Sequence, residues 1–385
     1  MPYISGETII DFLKSIMRMR KRYLLFALAV VATASFSSCK FGRFVWFNFA
    51  DINDYKIFPT RELPASPHPF LFYTAERENG PKTITRSGGD VPFDDFLRKT
   101  ESVAFLIIRN DSILYERYFD DYDEASIVPS FSMAKSVLSM LIGCAIDDGL
   151  IGSVQDPVSK YVPEMAKHGF DKVTIEHLLQ MTSGLKFNEG YYNPFGEVAT
   201  FYYGRRLRKN TAKLKLEAEP GTRFDYASGN SQVLGLVLDH ALGDRSITGY
   251  LNEKIWQPIG MEYDASWSID RKKEGIEKTF CCLNARARDF AKLGRLYLND
   301  GNWQGKQLVP ADWVRQSTRV DSAGASNKHY QYQWWLPTLD GDFLAQGILG
   351  QYVYVNPSKN LVIVRLGHKV NANWFKVFVD LAKKY

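Results

Sequence analysis

Two stretches of hydrophobic and polar residues near opposite ends of the chain have the pattern of β-hairpins. Residues 103–108 are apolar, residues 112–119 alternate between apolar and polar side chains, and a short polar turn separates the two segments. Residues 352–355 and 361–366 repeat this pattern around a turn at 356–360. The simplest arrangement places both hairpins in one antiparallel sheet.

Between the hairpins, the apolar residues recur with helical spacing. The predicted helices are 132–149, 174–181, 231–242, 248–256, 287–299 and 310–317. A further amphipathic helix is predicted over 372–384, at the end of the chain. Antiparallel sheets of this kind segregate their helices, so the pattern predicts an α+β fold with a mostly helical region inserted between the two hairpins.

The first 38 residues have the pattern of an export signal. A basic run at 18–22 precedes an apolar stretch at 24–34, which is too short to span a bilayer comfortably. Small residues then lead to Cys39, and this sequence resembles the cleavage site of a bacterial lipoprotein. The resemblance implies that a lipid on Cys39 anchors the protein in the bacterial cell envelope, facing the periplasm or the cell surface. Plain secretion and an uncleaved signal anchor are the alternatives.

The segment at 39–95 is rich in aromatic residues and prolines, and the prolines disfavour a regular helix or a central strand. Such an aromatic segment is expected to pack on the main body. We therefore predict three parts in the chain: a signal peptide of the lipoprotein type at 1–38, an N-terminal arm at 39–95 and one main domain at 96–385.

The net charge gives no reason to expect a nucleic-acid partner. The formal charge of the 385 residues is +5, but residues 1–38 contain five Lys or Arg against two acidic residues. Their charge is therefore +3, and the remainder of the chain carries only about +2. This value is too small to indicate binding of a polyanion.

The cysteines and histidines do not form a recognisable framework. Apart from Cys39, the cysteines are Cys144, Cys281 and Cys282, an odd number that includes an adjacent pair. This pattern predicts buried free thiols rather than a set of disulfides. The six histidines lack the spacing of zinc ligands, so no metal site is expected.

Ser132 is the leading candidate for a nucleophile because Lys135 follows it at the start of an apolar helix. The chain contains three Ser-x-x-Lys pairs, and only this pair opens a segment that is apolar on nearly every face. A serine in the first turn of such a helix lies near free N–H groups and the positive end of the helix dipole, which stabilise an anion. A lysine three residues later lies on the same face, and burial lets its ammonium lose a proton and act as a base. The alternative is a helix-capping serine beside a lysine that extends into solvent.

A second candidate group is the sequence Tyr226-Ala227-Ser228, which follows a turn and precedes an apolar helix. A tyrosine there serves as a general base if a nearby cation lowers its pKa from about 10. The alternative is a tyrosine that only packs.

Taken in order, these motifs resemble those of serine β-lactamases and penicillin-binding proteins. The resemblance covers roughly residues 97–385 and is closest to class C-like esterases and 6-aminohexanoate-dimer hydrolases, which also have Tyr-x-Ser. It implies that Ser132 is the nucleophile, Lys135 its proton partner and Tyr226 the catalytic base, with Ser228 in the substrate site. The matching motifs are Ser132-Met133-Ala134-Lys135, 177–185, 220–226, Gly260-Met261 and 287–296.

The third motif of this family, a Lys or His followed by Ser or Thr and then Gly, is expected on an edge strand just before the last hairpin. The sequence there is Ala345-Gln346-Gly347-Ile348. Gly347 keeps a close backbone approach at the substrate site, so the resemblance implies that the N–H groups of Ile348 and Ser132 form the oxyanion hole. No cation or hydroxyl stands at Ala345 or Gln346 to hold the carboxylate of a β-lactam.

The segment 189–194 resembles the loop of the nylon-oligomer hydrolases whose tyrosine closes over the substrate. This resemblance assigns that substrate-binding role to Tyr191.

These features predict a serine hydrolase that cleaves a small ester or amide through a covalent acyl-enzyme, without a metal or an organic cofactor. One alternative is a D-Ala peptidase or β-lactamase acting in peptidoglycan or antibiotic metabolism. Another is a binding or sensing lipoprotein that kept the fold and lost catalysis, although such a protein has no need for intact Ser132, Lys135 and Tyr226.

Overall fold

A computed structural model describes residues 17, 19–24, 26, 43, 47, 49–75, 80–86, 88–322 and 324–385 of the chain. The predicted lipidation site at Cys39 lies outside these residues, and so does most of the predicted export signal at 1–38. Within the described part, no helix combines the length and the apolar character needed to cross a membrane.

The chain divides into two compact units. The smaller unit comprises 1–49 and 190–204, and the larger unit comprises 50–189 and 205–385. In the smaller unit, Arg43 Nη1 donates a hydrogen bond of 3.1 Å to the carbonyl of Tyr203, at the end of a short helix. The strands described below, and the other helices whose bounds are given below, belong to the larger unit.

The strands, in chain order, are β1 (Thr60–Leu63), β2 (Tyr73–Thr74), β3 (Thr83–Arg86), β4 (Gly89–Pro92), β5 (Ser102–Arg109), β6 (Ser112–Tyr118), β7 (Val128–Pro129), β8 (Ala265–Ser268), β9 (Leu283–Ala285), β10 (Asn302–Trp303), β11 (Lys306–Gln307), β12 (Tyr330–Gln331), β13 (Trp334–Trp335), β14 (Phe343–Gly347), β15 (Gln351–Asn356) and β16 (Leu361–Gly367). Within the described residues of 50–385, the α-helices are α1 (Phe93–Lys99), α2 (Met133–Asp147), α3 (Ile175–Leu179), α4 (Glu197–Tyr203) of the smaller unit, α5 (Leu207–Thr211), α6 (Ser228–Leu242), α7 (Ile247–Leu251), α8 (Ala287–Leu298), α9 (Ala311–Thr318) and α10 (Trp374–Ala382).

The main sheet confirms the predicted α+β fold, in which the two terminal hairpins share one sheet. Among the described strands its order is β12-β13-β14-β15-β16-β5-β6-β2, and only β2 runs parallel to its neighbour. Helices α1 and α10 cover one face with a cluster of aromatic side chains that includes Phe93, Phe105 and Phe378. Helix α8 packs on the opposite face, where its Gly294 lies close to Val353.

A second sheet, which the sequence analysis did not predict, has the order β1-β8-β9-β7. Its first strand comes from the segment predicted as an arm at 39–95, which also supplies β2 to the main sheet and the hairpin of β3 and β4. These strands could not be recognised in the proline-rich sequence because each is only two to four residues long. At the other end of the sheet, Pro129 of β7 pairs with Asn284 of β9, just before helix α2 begins.

The predicted helices of the inserted region are present, with boundaries shifted by a few residues. The segment predicted at 174–181 is shorter because α3 begins after Thr174, whose side chain accepts a hydrogen bond from the backbone of His177 in a capping box. The segment predicted at 248–256 changes character at its middle, where α7 continues as the π-helical turn Asn252–Trp256.

The prediction of free thiols is wrong for Cys281 and Cys282, which are bonded to each other. An odd number of cysteines disfavours a set of disulfides between distant segments, but it does not exclude a bond between neighbours. Here a turn with Cys282 in the left-handed region (φ 70°) accommodates a bond between adjacent residues. Cys144 is a buried free thiol, as expected.

Candidate active site

Ser132 stands at the mouth of helix α2, and the second sheet holds it there. The preceding Ser130 donates its N–H to the carbonyl of Leu283 at 2.7 Å, and Leu283 N–H returns a bond of 3.1 Å to Ser130 Oγ. Phe131 then turns through the left-handed region (φ 43°) and brings the chain into the helix. Ser132 itself has helical backbone angles, and its side chain caps no N–H group of the helix. The alternative of a capping serine therefore does not describe this residue.

Lys135 is buried, with 1% of its surface exposed, and does not extend into solvent. Its Nζ lies 2.9 Å from Ser132 Oγ, 3.1 Å from Ser228 Oγ and 2.9 Å from the carbonyl oxygen of Phe280. It also lies 5.1 Å from the centre of the Tyr226 ring. The structure thus brings together the four polar side chains that the sequence motifs selected.

Burial lets Lys135 act as a proton acceptor near neutral pH. Removal of the ammonium from solvent lowers the pKa of Lys135 to about 8, and the negative charge of Glu189 opposes this shift. An amine with this pKa is partly neutral under ordinary conditions, so it can accept a proton from the hydroxyl 2.9 Å away.

The pKa of Tyr226 moves in the direction opposite to the prediction. Burial, followed by the charge of Glu189, raises the pKa of the Tyr226 phenol, and the neighbouring Ser132 hydroxyl only partly offsets the increase. The sequence predicted that the cation of Lys135 lowers this pKa. The effect of burial dominates instead, so Tyr226 retains its proton.

Ser228, at the start of helix α6, is bound by a carboxylate that the sequence analysis did not select. Glu189 accepts hydrogen bonds from Ser228 N–H at 2.7 Å and from Ser228 Oγ at 2.6 Å. In the sequence, Glu189 is distinguished only by its position two residues before Tyr191. A single acidic residue in a polar loop does not by itself indicate a catalytic role. The carbonyl of Phe280, which accepts from Lys135, was also missed because a backbone atom has no residue-type signature.

The end of strand β14 approaches Ser132 closely, as the sequence predicted for Gly347. A Cβ atom on Gly347 would lie 2.3 Å from the carbonyl oxygen of Ser130 and 3.2 Å from Ser132 N, so only glycine fits there. Among the described pairs, β13 contacts β14 at Leu344 alone, which leaves the Gly347 end of the strand as an edge. The N–H groups of Ser132 and Ile348 therefore belong to the same corner of the structure.

Aromatic side chains form one wall beside the catalytic groups. The Tyr226 ring lies 5.9 Å from Tyr330 and 5.6 Å from Trp335, while Tyr330 and Trp335 are 4.9 Å apart. Trp335 is partly exposed, whereas its neighbour Trp334 is buried and stacks on Tyr297. The tryptophan pair thus contributes one residue to the site and the other to the core.

The structure does not test two of the predicted site residues. Tyr191 belongs to the smaller unit, where 36% of its surface is exposed, and its substrate-binding role stays a prediction. Cys39 lies outside the described residues. In the described part of the chain, no group of three or more His, Cys, Asp or Glu side chains is placed to hold a metal ion.

Comparisons with known proteins show the family to which this chain belongs. The Beta-lactamase family model matches residues 93–379. A 6-aminohexanoate-dimer hydrolase of Paenarthrobacter ureafaciens is 28% identical over 291 residues, which cover 70% of this chain and 73% of the relative. Esterase EstB of Burkholderia gladioli is 28% identical over 196 residues, covering 45% of this chain and 49% of the relative.

Among solved structures, a Bacillus anthracis protein provisionally named 6-aminohexanoate-dimer hydrolase superposes with a TM-score of 0.77 at 25% identity. The match covers 86% of this chain and 92% of that one. The matched range includes every strand of the main sheet except β2, helix α2 and the residues Ser132, Lys135 and Tyr226. The chain therefore belongs to the Beta-lactamase family, and it is a serine hydrolase.

Proposed function

We propose that this protein hydrolyses small uncharged esters or linear amides through an acyl-enzyme on Ser132. The observation that carries the proposal is the position of Lys135 Nζ, which lies between the hydroxyls of Ser132 and Ser228 at 2.9 and 3.1 Å. A buried amine in hydrogen-bond contact with a serine hydroxyl is the arrangement that activates a nucleophile.

In the acylation step, neutral Lys135 takes the proton of Ser132 as Oγ forms a bond to the substrate carbonyl carbon. The carbonyl electron pair moves onto oxygen, and the N–H groups of Ser132 and Ile348 stabilise the resulting oxyanion. The new ammonium of Lys135 is stabilised by Ser228 Oγ, by the Phe280 carbonyl and by the face of the Tyr226 ring.

When the tetrahedral intermediate collapses, the leaving group takes a proton and departs. Tyr226, which retains its proton and lies beside Ser132, donates it and is reprotonated by Lys135. Water then attacks the acyl carbon, and its proton passes to Lys135. Breakage of the acyl bond to Ser132 Oγ, which recovers its proton, regenerates the enzyme. We therefore assign the base role to Lys135 and the acid role to Tyr226, in place of the tyrosine base that the sequence suggested.

The substrate class follows from the charges around the site. Ala345 and Gln346 place no cation on the edge of β14, and the carboxylate of Glu189 is hydrogen-bonded to Ser228. A substrate carboxylate loses a charge-assisted hydrogen bond here, which reduces binding roughly ten- to a hundredfold. Uncharged acyl groups can instead pack against Tyr226 and Trp335.

The test compares kcat/KM for short-chain p-nitrophenyl esters, linear amides, D-Ala peptides and nitrocefin on one preparation, with Ser132→Ala as the background. We expect the best ester to exceed nitrocefin by at least about tenfold. Equal or faster turnover of nitrocefin or D-Ala peptides would establish a β-lactamase or peptidase instead. Failure of a fluorophosphonate to label the wild-type protein at Ser132 would indicate a non-catalytic binding protein.

We also propose that a lipid on Cys39 anchors the enzyme in the cell envelope. The support is the basic run, the short apolar stretch and the small residues before Cys39. Mass spectrometry of the protein from membranes should give a lipid-modified N-terminal peptide that begins at Cys39. An unmodified peptide that runs through 36–42 would refute the anchor.

Tyr191 is proposed to close over the bound substrate. The support is the sequence of 189–194 alone. Tyr191→Phe should raise KM or lower kcat for amides more than for activated esters, because an amide leaving group depends more on a precisely placed hydroxyl.

A further inference from the structure

Glu189 makes two hydrogen bonds to one residue of the catalytic cluster. Its carboxylate oxygens accept from the N–H and from the Oγ of Ser228, at 2.7 and 2.6 Å. Ser228 is the first residue of helix α6, and Ala227 before it has no side chain that can cap the helix. Glu189 therefore joins the start of this helix to the active site.

The contact with Glu189 fixes the direction of the hydrogen bonds around Lys135. An ionised carboxylate only accepts, so the Ser228 hydroxyl must donate to Glu189. The same hydroxyl can then only accept from Lys135 Nζ, which lies 3.1 Å away. The carbonyl of Phe280, 2.9 Å from Nζ, is also only an acceptor.

A neutral lysine has two N–H bonds and one lone pair. When both N–H bonds are directed at Ser228 Oγ and the Phe280 carbonyl, the lone pair has one neighbour left, the Ser132 hydroxyl at 2.9 Å. The amine is thus oriented as a proton acceptor toward the nucleophile before the substrate arrives. Without an acceptor behind it, the Ser228 hydroxyl is free to rotate and donate to Lys135, which turns the lone pair away from Ser132.

The charge of Glu189 also acts on the cluster. It raises the pKa of Lys135 against the effect of burial, and it raises the pKa of Tyr226 and of Tyr330 in addition to burial. These three titratable groups are the ones that face one another across the site, from helix α2, from the turn before α6 and from strand β12. The carboxylate thus favours both the ammonium that forms during acylation and the protonated phenol.

We infer that Glu189 is a positioning residue of this active site, which holds Ser228 as a one-way acceptor for Lys135 and supplies the counter-charge to the Lys135 ammonium. The inference rests on the proposed acyl-enzyme mechanism. It goes beyond that mechanism because it makes a loop carboxylate, which touches neither the nucleophile nor the substrate carbonyl, necessary for the direction of proton transfer.

Three variants of the full chain separate this role from helix capping. Glu189→Gln removes the charge and one acceptor, Glu189→Asp keeps the charge on a shorter side chain, and Glu219→Gln removes an exposed acid of the same unit as a control. For each, the pH dependence of kcat/KM with an ester and the rate of fluorophosphonate labelling of Ser132 are measured. Thermal unfolding reports how much folded protein each sample contains.

For Glu189→Gln we expect the rate at the pH optimum to fall about ten- to a hundredfold, the effect of one charge-assisted hydrogen bond, and the acid limb to move to lower pH. Glu189→Asp should lose rate while its acid limb stays where the wild type has it. Glu219→Gln should match the wild type in both. In the double variant Glu189→Gln with Ser228→Ala, the loss of rate should be less than the product of the two single losses.

If Glu189 only caps helix α6, Glu189→Gln lowers the melting temperature and leaves the acid limb and the rate per folded molecule unchanged, which overturns the inference. If fully folded Glu189→Gln loses rate but its acid limb stays at the wild-type pH, the counter-charge role is overturned. Failure of the proposed mechanism is distinguishable from both, because the wild-type protein itself would then resist labelling at Ser132.

Discussion

Two buried lysines of this protein each lie in a helix, three residues after a polar side chain, and have different neighbours. Lys135 lies three residues after Ser132 at the start of α2, and Lys292 lies three residues after Asp289 in the first turn of α8. Their exposed fractions are 1% and 0%. Sequence spacing and burial therefore do not distinguish them.

The difference lies in the acceptors. Lys292 Nζ contacts the carboxylates of Asp289 at 3.2 Å and Glu262 at 3.0 Å, so it belongs to a buried ion cluster. In the described part of the chain, Lys135 has no carboxylate within ion-pair distance, and the charge of Glu189 reaches it from behind Ser228. A buried lysine surrounded by hydroxyls and carbonyls can become a base, whereas one in direct contact with carboxylates serves the fold.

The largest expected effect is that of Ser132→Ala, which removes the group that makes the Lys135 site reactive. Turnover should fall by about 10⁶-fold, and the free energy of unfolding should change by less than about 1 kcal/mol, because Ser132 caps no helix N–H. Steady-state kinetics and thermal unfolding measure the two quantities. Retention of a tenth of the wild-type activity would place the nucleophile elsewhere.

The pair of variants Lys135→Met and Lys292→Met tests the difference between the two lysines most directly. Lys135→Met should lose at least about 10³-fold in kcat with little change in stability. Lys292→Met should cost about 3–5 kcal/mol of unfolding free energy, because two buried carboxylates lose their partner, and should keep the wild-type kcat per folded molecule. Denaturant unfolding and active-site titration separate these outcomes, and equal loss of stability in both variants would contradict the distinction.

Tyr226→Phe tests whether the phenol beside Lys135 acts as the proton donor. Loss of the proton donor should reduce kcat about 10²- to 10⁴-fold for amides, whose leaving group must be protonated. The loss should be smaller for p-nitrophenyl esters, whose leaving group departs without a proton. Equal losses for both substrates would point instead to a role for Tyr226 in orienting Ser132.

The smallest effect is the pH dependence of the wild-type enzyme. Lys135 must lose its proton to act as the base, and its pKa is lowered to about 8, so kcat/KM should be reduced at low pH and level off above pH 8. Between pH 8 and pH 6 the expected decrease is about fiftyfold, and the slope approaches one below pH 7. Since the pKa of Tyr226 is raised, its ionisation should not reduce activity on the alkaline side below pH 10. An acid limb near pH 6 would contradict the assignment of Lys135 as base.

The sequence predicted the parts of the fold that carry long, regular patterns. The two hairpins and helix α2 were recognisable because their apolar patterns extend over six or more positions. The second sheet was missed because β7 and β9 are two and three residues long, too short for an alternation to be visible. Such strands exist because neighbouring segments pair with them, and pairing partners are not visible in a local pattern.

The candidate site divides in the same way. Ser132, Lys135 and Tyr226 stood in motifs with fixed spacing, so their meeting in space could be expected. Glu189 and the Phe280 carbonyl could not, because each enters the site from a distant segment and neither residue type is diagnostic. The direction of the pKa shift of Tyr226 also required the structure, since it depends on burial more than on the neighbouring lysine.

The pairing of β16 with β5 has a consequence for how the chain reaches this structure. Arg109, at the end of β5, donates a hydrogen bond to the carbonyl of Lys359, 250 positions later, just before β16 begins. Strands β5 and β16 therefore cannot pair until nearly the whole chain has been synthesised. Contacts of such high sequence separation form slowly. A nascent or truncated chain that lacks 361–367 exposes the apolar edge of β5, which is a template for aggregation. Deletions from the C-terminus should therefore yield insoluble protein rather than a smaller enzyme.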